Sequence, residues 1–135
     1  MNGIIIVVIA AIASMVIAML WFSPMLFGNI WMKASGMSAK EIKDCKKKGM
    51  AKSMTFAFIA SVITAYILAL FMGFAGASNV MQSATIAFLL WLGFAMPVEL
   101  SGVLWEKKSV KSFIIGTSYV LVSMIAMSAI IISLA

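Results

Sequence analysis

Residues 53–75 read SMTFAFIASVITAYILALFMGFA, without one charged side chain, and follow directly on residues 40–52, KEIKDCKKKGMAK, in which nearly every second residue is lysine. A helix rises about 1.5 Å per residue and the hydrocarbon core of a bilayer is about 30 Å thick, so roughly 20 apolar residues make one crossing. The stretch is therefore a membrane-spanning helix with a basic anchor at one end. Working outward, three more apolar blocks lie near 3–22, 81–105 and 112–134. Between them run two basic stretches, 33–52 and 106–111, and one uncharged link. The pattern predicts an all-α, polytopic membrane protein, four transmembrane helices in a bundle, with residues 1–135 forming a single integral membrane domain.

Composition agrees. The chain is 64% hydrophobic and 10% charged, with a mean hydropathy of +1.16, against about 25% charged residues in soluble domains. Four crossings use nearly the whole length and leave no room for a soluble catalytic domain.

The ten lysines give the orientation. They fall only between Lys33 and Lys52 and between Lys107 and Lys111, the two stretches that four crossings place on one side. By the positive-inside rule that side is cytoplasmic, and both termini lie outside. The net charge of +6 then serves anionic lipid headgroups, worth about 1 kcal/mol per lysine close to the surface. Nucleic acid is not implied, since no aromatic side chains interleave the basic run. The first block lacks a basic n-region and outruns a signal-peptide core, so it reads as a retained helix. Cys45, the only cysteine, stands in the basic stretch, where a free thiol is expected. The chain has no histidine, which excludes His-based metal sites, proton shuttles and Ser-His triads.

The end of the first block carries its own signal. Ser23 before Pro24 reads as an N-cap followed by proline at the first helical position, which predicts a short interfacial helix after helix 1. A second start signal, Ser38 with Glu41 three residues on, predicts a helix within the basic stretch. In the second block, Ser53, Ala57, Ser61, Ala65, Ala69 and Gly73 recur every fourth residue, a ridge of small side chains that lets helices approach closely in lipid. Helix 1 has a shorter ridge, Ala10, Ser14 and Ala18. The string from Pro24 to Lys33 can also be laid on that from Pro97 to Lys107, which shares Pro, Gly, Trp and Lys. The match fits a parallel duplication, and equally chance likeness between Trp-flanked helix ends.

Glu99 is the one ionisable residue inside an apolar block. A charge at the centre of a membrane helix costs about 2.5 to 3.5 kcal/mol on insertion scales and is by default a functional candidate. Glu99 stands six residues before Trp105, about 9 Å along the helix, within reach of snorkelling or of Lys33 or Lys107. Pro97 lacks the N–H that would meet the carbonyl of Gly93 and is expected to kink the helix beside it. Two readings stay open, a structural carboxylate and a polar site of Glu99, Pro97, Ser101, Thr117 and Tyr119. The thirteen methionines read as apolar filler in preference to a copper site. No base lies beside any Ser, Thr or Tyr nucleophile, and no phosphate-cradling motif occurs, so no enzyme, cofactor or metal is implied.

The string Trp21-Phe22-Ser23-Pro24-Met25-Leu26-Phe27-Gly28, followed by Trp31-Met32, resembles the signature of a family of small prokaryotic membrane proteins catalogued as domain of unknown function 1761. The likeness continues through Gly36-Met37-Ser38 with Glu41-Ile42-Lys43, Trp91-Leu92-Gly93-Phe94 with Pro97, Glu106-Lys107-Lys108, and Ser118-Tyr119 with Leu121-Val122-Ser123, and so covers essentially the whole chain. It implies four helices in a prokaryotic cell membrane and brings no assigned activity. The chain departs from the family pattern at Val120, where a His is common, and at Glu99, where an acid is not usual. Those departures argue against shared proton or metal chemistry there. The expected role is a membrane subunit that associates with itself as a homo-oligomer, with lipid or with partner proteins. The alternative is a small oligomeric channel or transporter built around Glu99.

Overall fold

A computed structural model describes residues 2–23, 25–36, 40 and 51–135. It is an all-α bundle, with no strand among the described residues. Helix α1 runs Gly3–Trp21, a short α2 Gly28–Ala34, and α3 Ala51–Phe74. The third span, Val80–Trp105, consists of α4 (Val80–Leu90), a π-helical turn (Trp91–Ala95) and α5 (Met96–Trp105), and α6 covers Val110–Leu134. Among the described residues, four helices are thus long and apolar enough to cross a membrane.

The helix ends follow from local chemistry. Asn2, Asn79 and Ser109 cap α1, α4 and α6, their side chains accepting from the backbone N–H of Ile4, Gln82 and Ser112 and satisfying donors a helix start leaves orphaned. Helix α3 stops where Gly76 takes a φ of +70°. The N–H groups of Gly76 and Ala77 turn back to the carbonyls of Gly73 and Met72 at 3.2 and 3.0 Å, the double bond of a Schellman ending. At Pro97 the expected break takes the form of a widened turn just upstream, in which the Met96 N–H reaches the Trp91 carbonyl. A π turn absorbs the missing proline N–H without interrupting the span.

The Ser23 reading is corrected. Ser23 does not cap a helix beginning at position 24: its hydroxyl donates to the Leu20 carbonyl at 2.8 Å, and α2 begins at Gly28 with Phe27 before it. The chain makes a tight elbow there instead, with the Phe27 N–H on the Trp21 carbonyl at 3.0 Å and the Gly28 N–H on the Ser23 carbonyl at 2.9 Å. A Cβ at position 28 would collide with the Phe22 carbonyl oxygen, so only glycine fits. The start signal at Ser38 and Glu41, like Pro24 and Cys45, falls outside the described residues. The strings from Pro24 and from Pro97 fold differently, one through this elbow and the other inside a continuous span.

Helix α6 is the hub, packing against α1 on one side and the third span on the other, while α3 lies against α1. In the half away from the lysines the core joins Ile6, Val7 and Ala10, Leu68 and Met72, Ala87, and Met127 with Ile131. Ala10, Ala65 and Ala87 are fully buried. Small residues at these contacts bring backbones together, and in lipid that van der Waals contact replaces the hydrophobic drive. Along α3 only the middle of the small-residue ridge is covered: Ala65 is buried, Ser61 and Ala69 are half-buried, and Ser53, Ala57 and Gly73 are exposed. A step of four residues advances about 40° beyond a 3.6-residue turn, so a straight neighbour meets the ridge only where the two cross.

Candidate functional site

Two polar features occupy the lysine-bearing half of the bundle, one closed and one open. The closed one is a cluster of hydroxyls. Ser14 Oγ on α1 lies 2.6 Å from Ser123 Oγ and 3.2 Å from the Tyr119 hydroxyl, both on α6, and 3.5 Å from Ser61 Oγ on α3. Tyr119 can also donate to the Ser14 backbone carbonyl, at 3.3 Å. The four hydroxyls satisfy one another where three helices meet, which removes the cost of burying them unpaired. Ser14 and Ser123 are almost fully buried.

Aromatic residues link this cluster to the bundle end. The ring of Phe22 meets Tyr119 edge-on at 5.4 Å and Trp31 at 5.1 Å, and Trp21 packs on Phe27 at 5.1 Å. Trp21 and Trp91 each donate an indole N–H to a carbonyl of α6, Ile115 at 3.0 Å and Thr117 at 2.9 Å. The signature residues Trp21, Ser23, Phe27, Gly28 and Trp31 therefore build the elbow and pin it to α6.

The open feature is a cleft of about 600 Å³ at the lysine-bearing end. Its walls are α5 with Glu99 and Val103, the loop with Glu106, Lys107 and Lys108, and, facing them, Phe22, Trp31 and the first turns of α6 at Phe113 and Gly116. The Ser109 hydroxyl donates to the Ala34 carbonyl at 2.6 Å, and the hydroxyls of Ser35 and Ser112 lie 3.1 Å apart, which ties α2 to the start of α6. Lys107 adopts a φ of 59°, and the Lys108 N–H turns back to the Gly102 carbonyl at 3.1 Å. The Lys108 side chain lies over Gly102, where a Cβ would stand 3.0 Å from its Cδ. Its ammonium pairs with Glu106 at 3.3 Å, both about two-thirds exposed, a geometry worth roughly 0 to 1 kcal/mol.

The residues singled out in the sequence separate between these features. Glu99 is exposed and lines the cleft. Ser101 is exposed and donates to the Val98 carbonyl of its own helix at 2.6 Å. Pro97 lies exposed in the first turn of α5. Tyr119 belongs to the hydroxyl cluster. Thr117 is buried with its hydroxyl unpartnered, its carbonyl taking the Trp91 N–H. Ser14 and Ser123, the centre of the cluster, read in the sequence as a member of a packing ridge and as part of the string Leu121-Val122-Ser123 that resembles the family, neither of them as a polar site.

A family model described as Protein of unknown function (DUF1761) matches residues 5–132. No curated protein and no solved structure matches the chain.

Proposed function

The chain belongs to this family of unknown function, and we propose that it is a non-enzymatic subunit of a prokaryotic cell membrane that associates with copies of itself through the outer face of its third span. One observation carries the reading. Val80–Trp105 is the least covered of the four spans, 11% buried against 39% for Val110–Leu134, and its exposed face includes Leu89, Leu92, Gly93, Phe94 and Val98. Gly93 has open space around it, and a glycine beside a widened turn lets a second helix approach the backbone. Thr85 and Ser101 on this span satisfy their hydroxyls within their own helix, so the face is compatible with lipid or with another apolar helix. Exposed lysines at one end, Lys33, Lys52, Lys107 and Lys111 among them, support contact with anionic headgroups and a cytoplasmic location for that end.

A second reading, an oligomeric channel or transporter, draws on Glu99 opening into the cleft. The hydroxyl cluster fills the centre of the single bundle with mutually bonded groups, so a water path belongs between copies in this reading. Disulfide cross-linking tests the first. In a Cys45→Ser background, Phe94→Cys should form a covalent dimer on mild oxidation in membranes, and Ile63→Cys, exposed on α3, should not. Monomers throughout, with a monomeric mass in nanodiscs, would refute self-association. A cation flux into proteoliposomes that Glu99→Gln abolishes would favour the second reading.

A further inference from the structure

Four ionisable side chains line the cleft, Glu99, Glu106, Lys107 and Lys108, and they do not all neutralise one another. Glu106 and Lys108 are paired. Among the described residues Glu99 and Lys107 make no ion pair. Glu99 and Val103, four residues apart, share one face of α5, and Glu106 caps the end of that helix. That face forms one wall of the cleft. Lys107 comes from the loop above it, beside the first turn of α6. The rest of the lining is aromatic at Phe22, Trp31 and Phe113 and polar at Ser35, Ser109 and Ser112, and it includes Gly116, where a Cβ would meet nothing nearer than the Trp31 indole nitrogen at 4.0 Å.

These features constrain an occupant. Among the described residues the lining carries two acids and two lysines, so a simple anion meets Glu99 and a simple cation meets Lys107, each a repulsion. A group carrying both signs answers both. The cleft also lies at the end of an apolar bundle, at the level where a bilayer presents headgroups, and its volume is in the range of about 300 to 1,000 Å³ usual for small-molecule sites. An exposed carboxylate accepts charge-assisted N–H bonds, which a primary ammonium supplies and a trimethylated one does not. The exposed apolar side chain of Leu104 on α5, outside the face assigned to self-association, offers an apolar surface alongside for an acyl chain.

We propose that this cleft binds one phosphoethanolamine headgroup of a bilayer lipid, its primary ammonium on the Glu99 carboxylate and its phosphate on Lys107. The site belongs to the single chain, so it stands or falls independently of self-association. The test uses purified, delipidated full-length protein in detergent. It is titrated with phosphatidylethanolamine, phosphatidylcholine and phosphatidylglycerol of identical chains, and bound lipid is counted by native mass spectrometry. The ethanolamine lipid should bind one per chain and about tenfold more tightly than either of the others, as loss of one charge-assisted bond implies. Glu99→Gln and Lys107→Gln should each erase that preference, and Gly116→Leu, which adds a bulky side chain to the lining, should remove the one-per-chain site in protein with an unchanged helical spectrum. Lys107 is exposed in a loop, so its variant carries the test even where Glu99→Gln is poorly folded. Equal binding of the three lipids, tighter binding of phosphatidylglycerol, or ethanolamine-lipid binding unchanged in both charge variants would overturn the proposal.

Discussion

The hydroxyl oxygens of Ser14 and Ser123 stand 2.6 Å apart, joining α1 to α6 at the level where Ser61 and Tyr119 also converge. This contact separates an apolar lower core from the aromatic elbow and the cleft above it. Hydroxyls in the middle of a membrane bundle act as local glue, and their value is set by what each could bond if its partner were gone.

Removing that contact should cost little and show coupling. Ser14→Ala and Ser123→Ala should each destabilise the protein by about 0.5 to 1.5 kcal/mol. A freed serine can turn to a carbonyl of its own helix, as Ser128 does to Ile125 at 2.7 Å. The double variant should lose less than the sum of the two. Unfolding equilibria in mixed micelles measure this, and strictly additive losses would mean that the two hydroxyls do not act as a pair.

The elbow should be far less forgiving. Gly28→Ala forces a Cβ against the Phe22 carbonyl, a backbone atom that cannot step aside, so the loss should reach or exceed the overpacking cost of about 1 to 3 kcal/mol. Gly116→Ala serves as the comparison, because its Cβ would have room. Thermal denaturation of the two variants should separate them clearly; equal stability would show that the elbow relaxes freely.

How far the sequence could be read follows from the same residues. The spans are legible because a charge in hydrocarbon is expensive, so lysines and acids mark the helix ends without any knowledge of packing. Ser23-Pro24 locates the break after α1 but misplaces the next helix start, since the Ser23 hydroxyl goes back to Leu20 and its carbonyl serves Leu26 and Gly28. Glu99 is legible as an oddity by its charge. The hydroxyl cluster is not, because Ser and Thr in an apolar helix can satisfy themselves locally, as Thr85, Ser101 and Ser128 do. Nothing in the chain's local pattern distinguishes those residues from Ser14 and Ser123, which reach across to other helices.

The covered part of the α3 ridge should resist enlargement. Ala65 has no exposed surface, so Ala65→Leu should push α3 from its neighbours and cost about 1 to 3 kcal/mol. Gly73→Leu on the same ridge should be tolerated, since open space surrounds it. Ile67 is a sound control at 43% exposed, whereas Leu68, 2% exposed, is part of the core. Melting curves in detergent decide the matter, and an Ala65→Leu protein as stable as the wild type would remove the ridge from the account of packing.

Orientation across the membrane is the last expectation, and the fold makes it testable from both ends. Lysines cluster at the end where α1 finishes and α6 begins, joined by the bond from Trp21 to the Ile115 carbonyl, while Ser78, exposed in the turn between α3 and α4, marks the other end. Loops rich in lysine are retained on the cytoplasmic side, and the uncharged turn imposes no such restraint. In intact cells the native Cys45 should therefore resist a membrane-impermeant maleimide and react only after permeabilisation. With Cys45→Ser and Ser78→Cys combined, labelling should occur without permeabilisation. The opposite pair of results would place the termini inside and the lysine-bearing end, with its cleft, outside.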